Sequence, residues 1–245
     1  MAKPTIKVSP ITSPTDFIPF FNISASAFGS QVHDGVWIAM NPGWDTPEGK
    51  ERAIGRLVER WSSVTTDRNG NPNTVFLKAT TASAEGKEAI AGVAIWVQAS
   101  MIPEYGAVPV DIDAEAVYQG NAVEQRYLLQ LDRSLHKRRV EVVKEIASSS
   151  SPAVMVLDLC VVDPAFQRQG VATRLVQWGL DEAKRRGGLE AVLEASSMGR
   201  HVYRQLGFWQ DGEECEYDLD EEFRDREQPS NIFMRTGRPQ QLLLV

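Results

Sequence analysis

Cysteine is nearly absent from this 245-residue chain, Cys160 and Cys215 being the whole complement. Two thiols, one in a predicted buried strand and one in an acidic stretch, make neither a disulfide framework nor a metal-ligand spacing. Histidine is scarce too, at three, and no His/Cys/Asp cluster has metal-site spacing, so no metal is expected. No run approaches the roughly 18 apolar residues that span a bilayer. The opening MAKPTIKVSP lacks the apolar centre of a secretory leader. A cytoplasmic protein with no membrane partner is therefore expected. An excess of positive charge is also missing. The net charge of −7 disfavours nucleic acid as a partner and is compatible with a cationic one. Neither the GKS or GKT of a P-loop nor a GxGxxG turn occurs, and there is no internal repeat.

What the chain does contain is 42% hydrophobic residues, enough to bury a sizeable core and form one domain over 1–245. A strand near 6–11 precedes a helix over about 15–28, with Pro19 in an early turn. Residues 29–47, punctuated by glycine and proline, read as a loop carrying the apolar island Val36 to Met40. A helix over about 47–65 puts Ile54, Leu57, Val58 and Trp61 on one face. Asn69-Gly70-Asn71-Pro72 marks a turn, and strands over 74–80 and 90–98 follow, joined by a polar link that includes Gly86.

Residues 99–152 read as a long, mostly helical connection, patterned from 113 to 146, in which Leu128, Leu131, Leu135 and Val142 recur amid dense charge. Such a helix is either docked on the surface or a cover over a groove. Ser148 to Ser151 and Pro152 read as a flexible return.

The most informative stretch is VMVLDLCVVDPAFQRQGVAT, 154–173. Its valine-rich run reads as a buried strand, ended by Pro164. An amphipathic helix over about 172–186 follows, closed by Lys184-Arg185-Arg186-Gly187-Gly188. The first turn of that helix has main-chain N–H groups without partners at its electropositive end, where an anion fits. Gly170 lets a diphosphate approach the main chain, and the small Ala172 obstructs little. A strand over 189–195 comes next, then Ser196 and Ser197 as N-cap candidates for a helix through Leu206. Residues 211–227 carry ten acidic and two basic residues. They read as a solvated loop or as an attractor for an amine. Asn231–Arg235 would be the closing strand.

Gln167-Arg168-Gln169-Gly170-Val171-Ala172 resembles the [Q/R]xxGx[G/A] motif of the GNAT superfamily of acyl-CoA-dependent N-acyltransferases, and VYRQLGFWQDGE resembles its LYxxxGFxxxG. Strand, glycine turn, helix, strand, short helix and Gly-Phe follow in the family's order over 154–212, the acyl-CoA-binding core, and relative to the family's short connection the resemblance implies that 99–152 is a helical insertion. The leaning is toward a small-molecule branch similar to puromycin N-acetyltransferase. The resemblance implies an α/β fold with a mixed central sheet splayed at the phosphate-loop strand. It also implies acetyl-CoA as co-substrate, a small amine-bearing molecule as acceptor, and a monomer or homodimer. A non-catalytic acyl-CoA sensor of the same fold is the rival.

Site roles follow from the same resemblance. The strand edge at Cys160, Val161 and Val162 would pair with the pantetheine arm, the N–H of Val162 serving the oxyanion. The diphosphate would rest on the turn Gln167, Arg168, Gln169, Gly170, Val171, Ala172 and Thr173, with Arg168 or Arg174 available to a phosphate. Ser196 stands where many members have a cofactor-contacting asparagine. Tyr203 occupies the position of the general acid that protonates the CoA sulfur. For the base, Asp158, the one charge inside its apolar strand, comes first and Glu194 second, with an ion pair to lysine or arginine as the alternative for both. His136 and His201 rank lower, each in a predicted helix without companions.

Overall fold

The β-branched runs and amphipathic segments fold into a seven-stranded mixed sheet flanked by helices on both faces. The computed structural model describes residues 5–82 and 88–237. Strand β1 (Lys7–Pro10) leads into α1 (Phe17–Ser24), which continues as a π-helical stretch, Ala25–Gln31. Helices α2 (Gly35–Met40) and α3 (Pro47–Ser62) come next, followed by β2 (Thr74–Ala82) and β3 (Glu88–Ala99). After α4 (Ala114–Val117) and α5 (Ala122–Glu145) the chain enters β4 (Val154–Val162), α6 (Val171–Arg185) and β5 (Glu190–Ser196). It closes with α7 (Arg200–Gln205), β6 (Trp209–Glu214) and β7 (Asn231–Arg235). The spatial order is β1-β2-β3-β4-β5-β7-β6, antiparallel throughout except for the parallel pair β4/β5.

That parallel pair is short. Its register runs from Val154 opposite Glu190 to Leu157 opposite Leu193 and stops, whereas β4 stays paired with β3 as far as Val162. Beyond Leu193, β5 pairs with β7 alone. The sheet is therefore splayed between β4 and β5, as the GNAT resemblance implies. Asp158 sits at the bulge where the β3/β4 register slips, opposite the Ile95–Trp96 step. An extra residue there bends the strand.

Two apolar layers sandwich the sheet. On one face α6 buries Val171, Leu175, Val176 and Ala183. Gly179 lets this helix approach so closely that a Cβ there would overlap the Trp96 indole, whose Nε1 donates to the Leu175 carbonyl at 3.3 Å. Gly179→Ala should therefore cost about 1–3 kcal/mol by overpacking, read as a lower urea midpoint at unchanged m-value. On the other face α1 and α3 pack Phe17, Phe20 and Ile23 with Ile54, Leu57, Val58 and Trp61, the stripe predicted for α3.

Some expectations need correction. The island at 36–40 is a helix, not loop, because the Asp34 side chain accepts from Trp37 N and caps it. Ser196 and Ser197 cap nothing: Ser196 ends β5, and α7 starts after Gly199 without a side-chain cap. Gly120, with φ +69, breaks the helical pattern of 113–146 into α4 and α5. The polar link with Gly86 lies outside the described residues. Residues 211–227 are not simply solvated. Leu219 and Phe223 are buried against α5, and the acids pair with arginines: Asp211 with Arg138 and Arg235, Asp220 and Glu222 with Arg126. No helix among the described residues is long and apolar enough to cross a membrane.

Candidate active site

The open edge of β4 organises the site. Asp163 N donates to the Ala91 carbonyl at 3.0 Å, toward β3. Main-chain groups alternate in direction along a strand, so Val161 also faces β3, while Cys160 and Val162 turn their amides into the gap beside β5. A cavity of about 950 Å³ fills that gap, and its walls include Asp158, Cys160, Glu194, Ser196 and Tyr203. Phe20, Phe21, Phe28, Trp37 and Leu57 add apolar wall to the same cavity. Burial pushes the Cys160 thiol up to about 12, so it carries no thiolate at neutral pH.

At the C-terminal end of β4 the chain makes a short turn held by Asp163, whose Oδ1 accepts from Ala165 N at 2.8 Å. Gln167 is tied to the π-helical stretch: its Nε2 donates to Gln31 Oε1 at 2.8 Å, and Gln31 Nε2 donates back at 3.2 Å. Gly170 caps α6 with φ +89, a left-handed conformation that glycine adopts freely. The first bond of the helix is Arg174 N to Gly170 O at 3.1 Å, which leaves the N–H groups of Val171, Ala172 and Thr173 directed outward. Arg168 and Arg174 form no ion pair among the described residues, so both guanidinium groups are available to an anion. This turn lies beside the cavity rather than in its wall.

Tyr203 stands in α7 with its ring against Phe208 and its hydroxyl near Gly199. Burial, reinforced by Cys160, holds its phenol well above the ordinary value, so it keeps its proton. A group with a proton to give and a place on the cavity wall meets the two conditions for a general acid.

The two carboxylates take the ion-pair alternative. Arg139 reaches from α5 into the splay and binds both, donating Nη1 to Asp158 Oδ1 at 2.7 Å and Nε to Glu194 Oε1 at 3.1 Å. Arg60 of α3 holds the other oxygen of Asp158 at 2.9 Å. Burial alone would raise the Asp158 carboxyl, but Arg60 and then Arg139 outweigh it and hold the group well below the carboxylate range. A carboxylate so stabilised is a poor proton acceptor at neutral pH, which counts against the base role expected of it.

His136, ranked low from sequence, lines the same cavity and does have a companion. Its Nδ1 lies 3.1 Å from Oδ1 of Asp132, one helical turn earlier. The i, i+4 spacing was visible in the sequence; that it faces the cavity depends on how α5 docks. His201 is exposed on α7 and has no such ionic partner among the described residues. Among the described residues no His/Cys/Asp/Glu group could hold a metal ion.

Comparison with known proteins agrees with this geometry. Residues 114–219 match the family model described as an acetyltransferase (GNAT) domain, a span that opens inside the segment read as an insertion and runs through β4, the glycine turn and β5. Similar solved structures include a "histone acetyltransferase HPA2 and related acetyltransferase" of Corynebacterium glutamicum, at 16% identity and TM-score 0.55 over 99% of this chain and 100% of that one. A mosquito "arylalkylamine N-Acetyltransferase like 5b" is similar at 15% identity and TM-score 0.58 over 94% and 99%. A polyamine N-acetyltransferase of Drosophila melanogaster is similar at 12% identity and TM-score 0.58 over 94% and 98%. No curated protein matches the chain by sequence. The sheet, its splay and the similar solved structures define the class at the level of fold: the chain has the GNAT fold, and residues 114–219, less than half of it, match a GNAT acetyltransferase domain.

Proposed function

We propose that the chain transfers an acetyl group from acetyl-CoA to a primary amine on a small molecule. The observation that carries this reading is the splay at β4/β5, whose free main-chain edge at Cys160 and Val162 opens on a cavity with a protonated tyrosine in its wall. Residues fit each part of the donor. The Cys160 and Val162 amides suit an extended pantetheine arm, and the start of α6 with Arg168 and Arg174 suits its diphosphate. The Val162 N–H would receive the carbonyl oxygen as charge develops, and Tyr203 would protonate the leaving thiolate. Asp158 and Glu194 act in this reading through Arg139, as a clasp that holds α5 across the cleft.

The apolar part of the cavity wall suits an acceptor with an aromatic or aliphatic body. Puromycin, the acceptor of the branch the sequence resembles, belongs in a first panel with arylalkylamines and polyamines, the acceptors named for enzymes of similar fold. Incubating the protein with acetyl-CoA and this panel should release free thiol with at least one member. Calorimetric binding of acetyl-CoA with no transfer to any amine would favour the sensor reading instead. Gly170→Val should weaken acetyl-CoA about tenfold or more, since left-handed backbone costs a non-glycine residue roughly 1–2 kcal/mol and the turn must distort. Unchanged affinity would remove the turn from the donor site.

A further inference from the structure

We propose that His136 is the general base that accepts the proton of the incoming ammonium, with Asp132 as the residue that positions it. The inference rests on the acyl-transfer reading above and supplies the step for which the cleft carboxylates are unsuited. Asp158 is committed to Arg60 and Arg139, and Glu194 to Arg139. His136 is not so committed. Its side chain is 22% exposed, lines the same cavity as Cys160 and Tyr203, and has Asp132 as its one polar partner among the described residues.

Asp132 makes the arrangement specific. It is buried at 6% exposure, and His136 is its one ionic partner among the described residues. A buried carboxylate needs a donor. The nearest such group is Nδ1 of His136, 3.1 Å away, and a proton on that nitrogen leaves the lone pair on Nε2 for the incoming ammonium. Other charges bear on the ring as well. Arg133, Lys137 and Arg139 come from α5, Arg60 from α3, Asp158 from β4 and Glu194 from β5, while Asp34 and Asp111 share the cavity wall. Asp158 is close enough to His136 to feel its charge.

The step balances as follows. The ammonium R–NH3+ gives one proton to Nε2 of His136, and the freed lone pair forms the C–N bond at the thioester carbonyl. The C–S bond breaks, and the thiolate takes a proton from Tyr203. Tyr203 is reprotonated by the nitrogen of the new amide as it loses its second proton. The proton on His136 passes to solvent, so each turnover yields amide, thiol and one proton.

The test compares wild type with His136→Gln and His136→Ala on an amine that the wild type acetylates. His136→Gln should lower kcat on the order of 10²-fold while acetyl-CoA affinity by calorimetry and the melting midpoint stay unchanged. The acid limb of kcat/KM against pH should flatten, and added imidazole should restore rate to His136→Ala. Asp132→Asn, which keeps the ring but removes the charge behind it, should slow turnover in the same sense. A His136→Gln enzyme with wild-type rate overturns the proposal, as does a slow one that keeps the acid limb while His136→Ala ignores imidazole. Failure of the wild type to acetylate any amine would instead overturn the acyl-transfer reading, and this inference with it.

Discussion

Replacing Arg139 by alanine is expected to lower stability by about 3–5 kcal/mol, because it strips a shared partner from two carboxylates whose side chains are only 18% and 5% exposed. At this chain length that is a fall of roughly 6–20 °C in melting midpoint. Glu194 would lose its cation outright, and Asp158 would keep only Arg60, which is 45% exposed and correspondingly screened. The sign with pH can be worked out for Asp158. Its folded carboxyl is held below the unfolded value, so its stabilisation is complete above the ordinary carboxylate range. It is lost as pH falls through that range toward the folded value. The gap between wild type and Arg139→Ala should therefore be widest near neutrality and narrow in acid. Urea unfolding at pH 7 and pH 4 measures both; a gap below about 1 kcal/mol would reduce the clasp to a surface pair.

Tyr203→Phe is expected to reduce kcat by about 10²–10³-fold, the range for removing a positioned proton donor, with little change in acetyl-CoA affinity. The substitution keeps the ring against Phe208 and takes away only the hydroxyl, so packing contributes little to the loss. Burial and Cys160 hold the phenol proton in place across the neutral range, so the wild-type rate should not fall on the alkaline side through ordinary tyrosine ionisation. Stopped-flow release of thiol with a saturating amine measures the step. A variant with the wild-type rate at every pH would take Tyr203 out of the mechanism.

The segment from β4 to β5 was legible because its signals are local. An unbroken valine-rich run has few alternatives to a buried strand, and Gly170 is dictated by a left-handed backbone at one helix start. The alternation of β4 then places Cys160 and Val162 on the open edge once one bond to β3 is known. Other parts depended on contacts distant in sequence. Nothing near 36–40 distinguishes a six-residue helix from an apolar loop until the Asp34 cap is seen. The acids of 211–227 look solvated until Arg126, Arg138 and Arg235 approach from other elements. The role of Asp158 turned on Arg139, which lies nineteen positions earlier on a helix whose docking the sequence does not specify. His136 and Asp132 could be paired from their spacing, but not their direction.

The parallel ladder between β4 and β5 ends at Leu157 and Leu193. Folding thus leaves the amides beyond it unsealed, and the protein need not break a single strand bond to admit a guest. A flexible chain bearing its own amides, threaded along this seam, would act as a missing partial strand and recover hydrogen bonds that the native state holds in reserve. Recognition of that kind reads the backbone of the visitor rather than its tip. It leaves the far end of the slot free to diversify while the grip on the carrier stays constant.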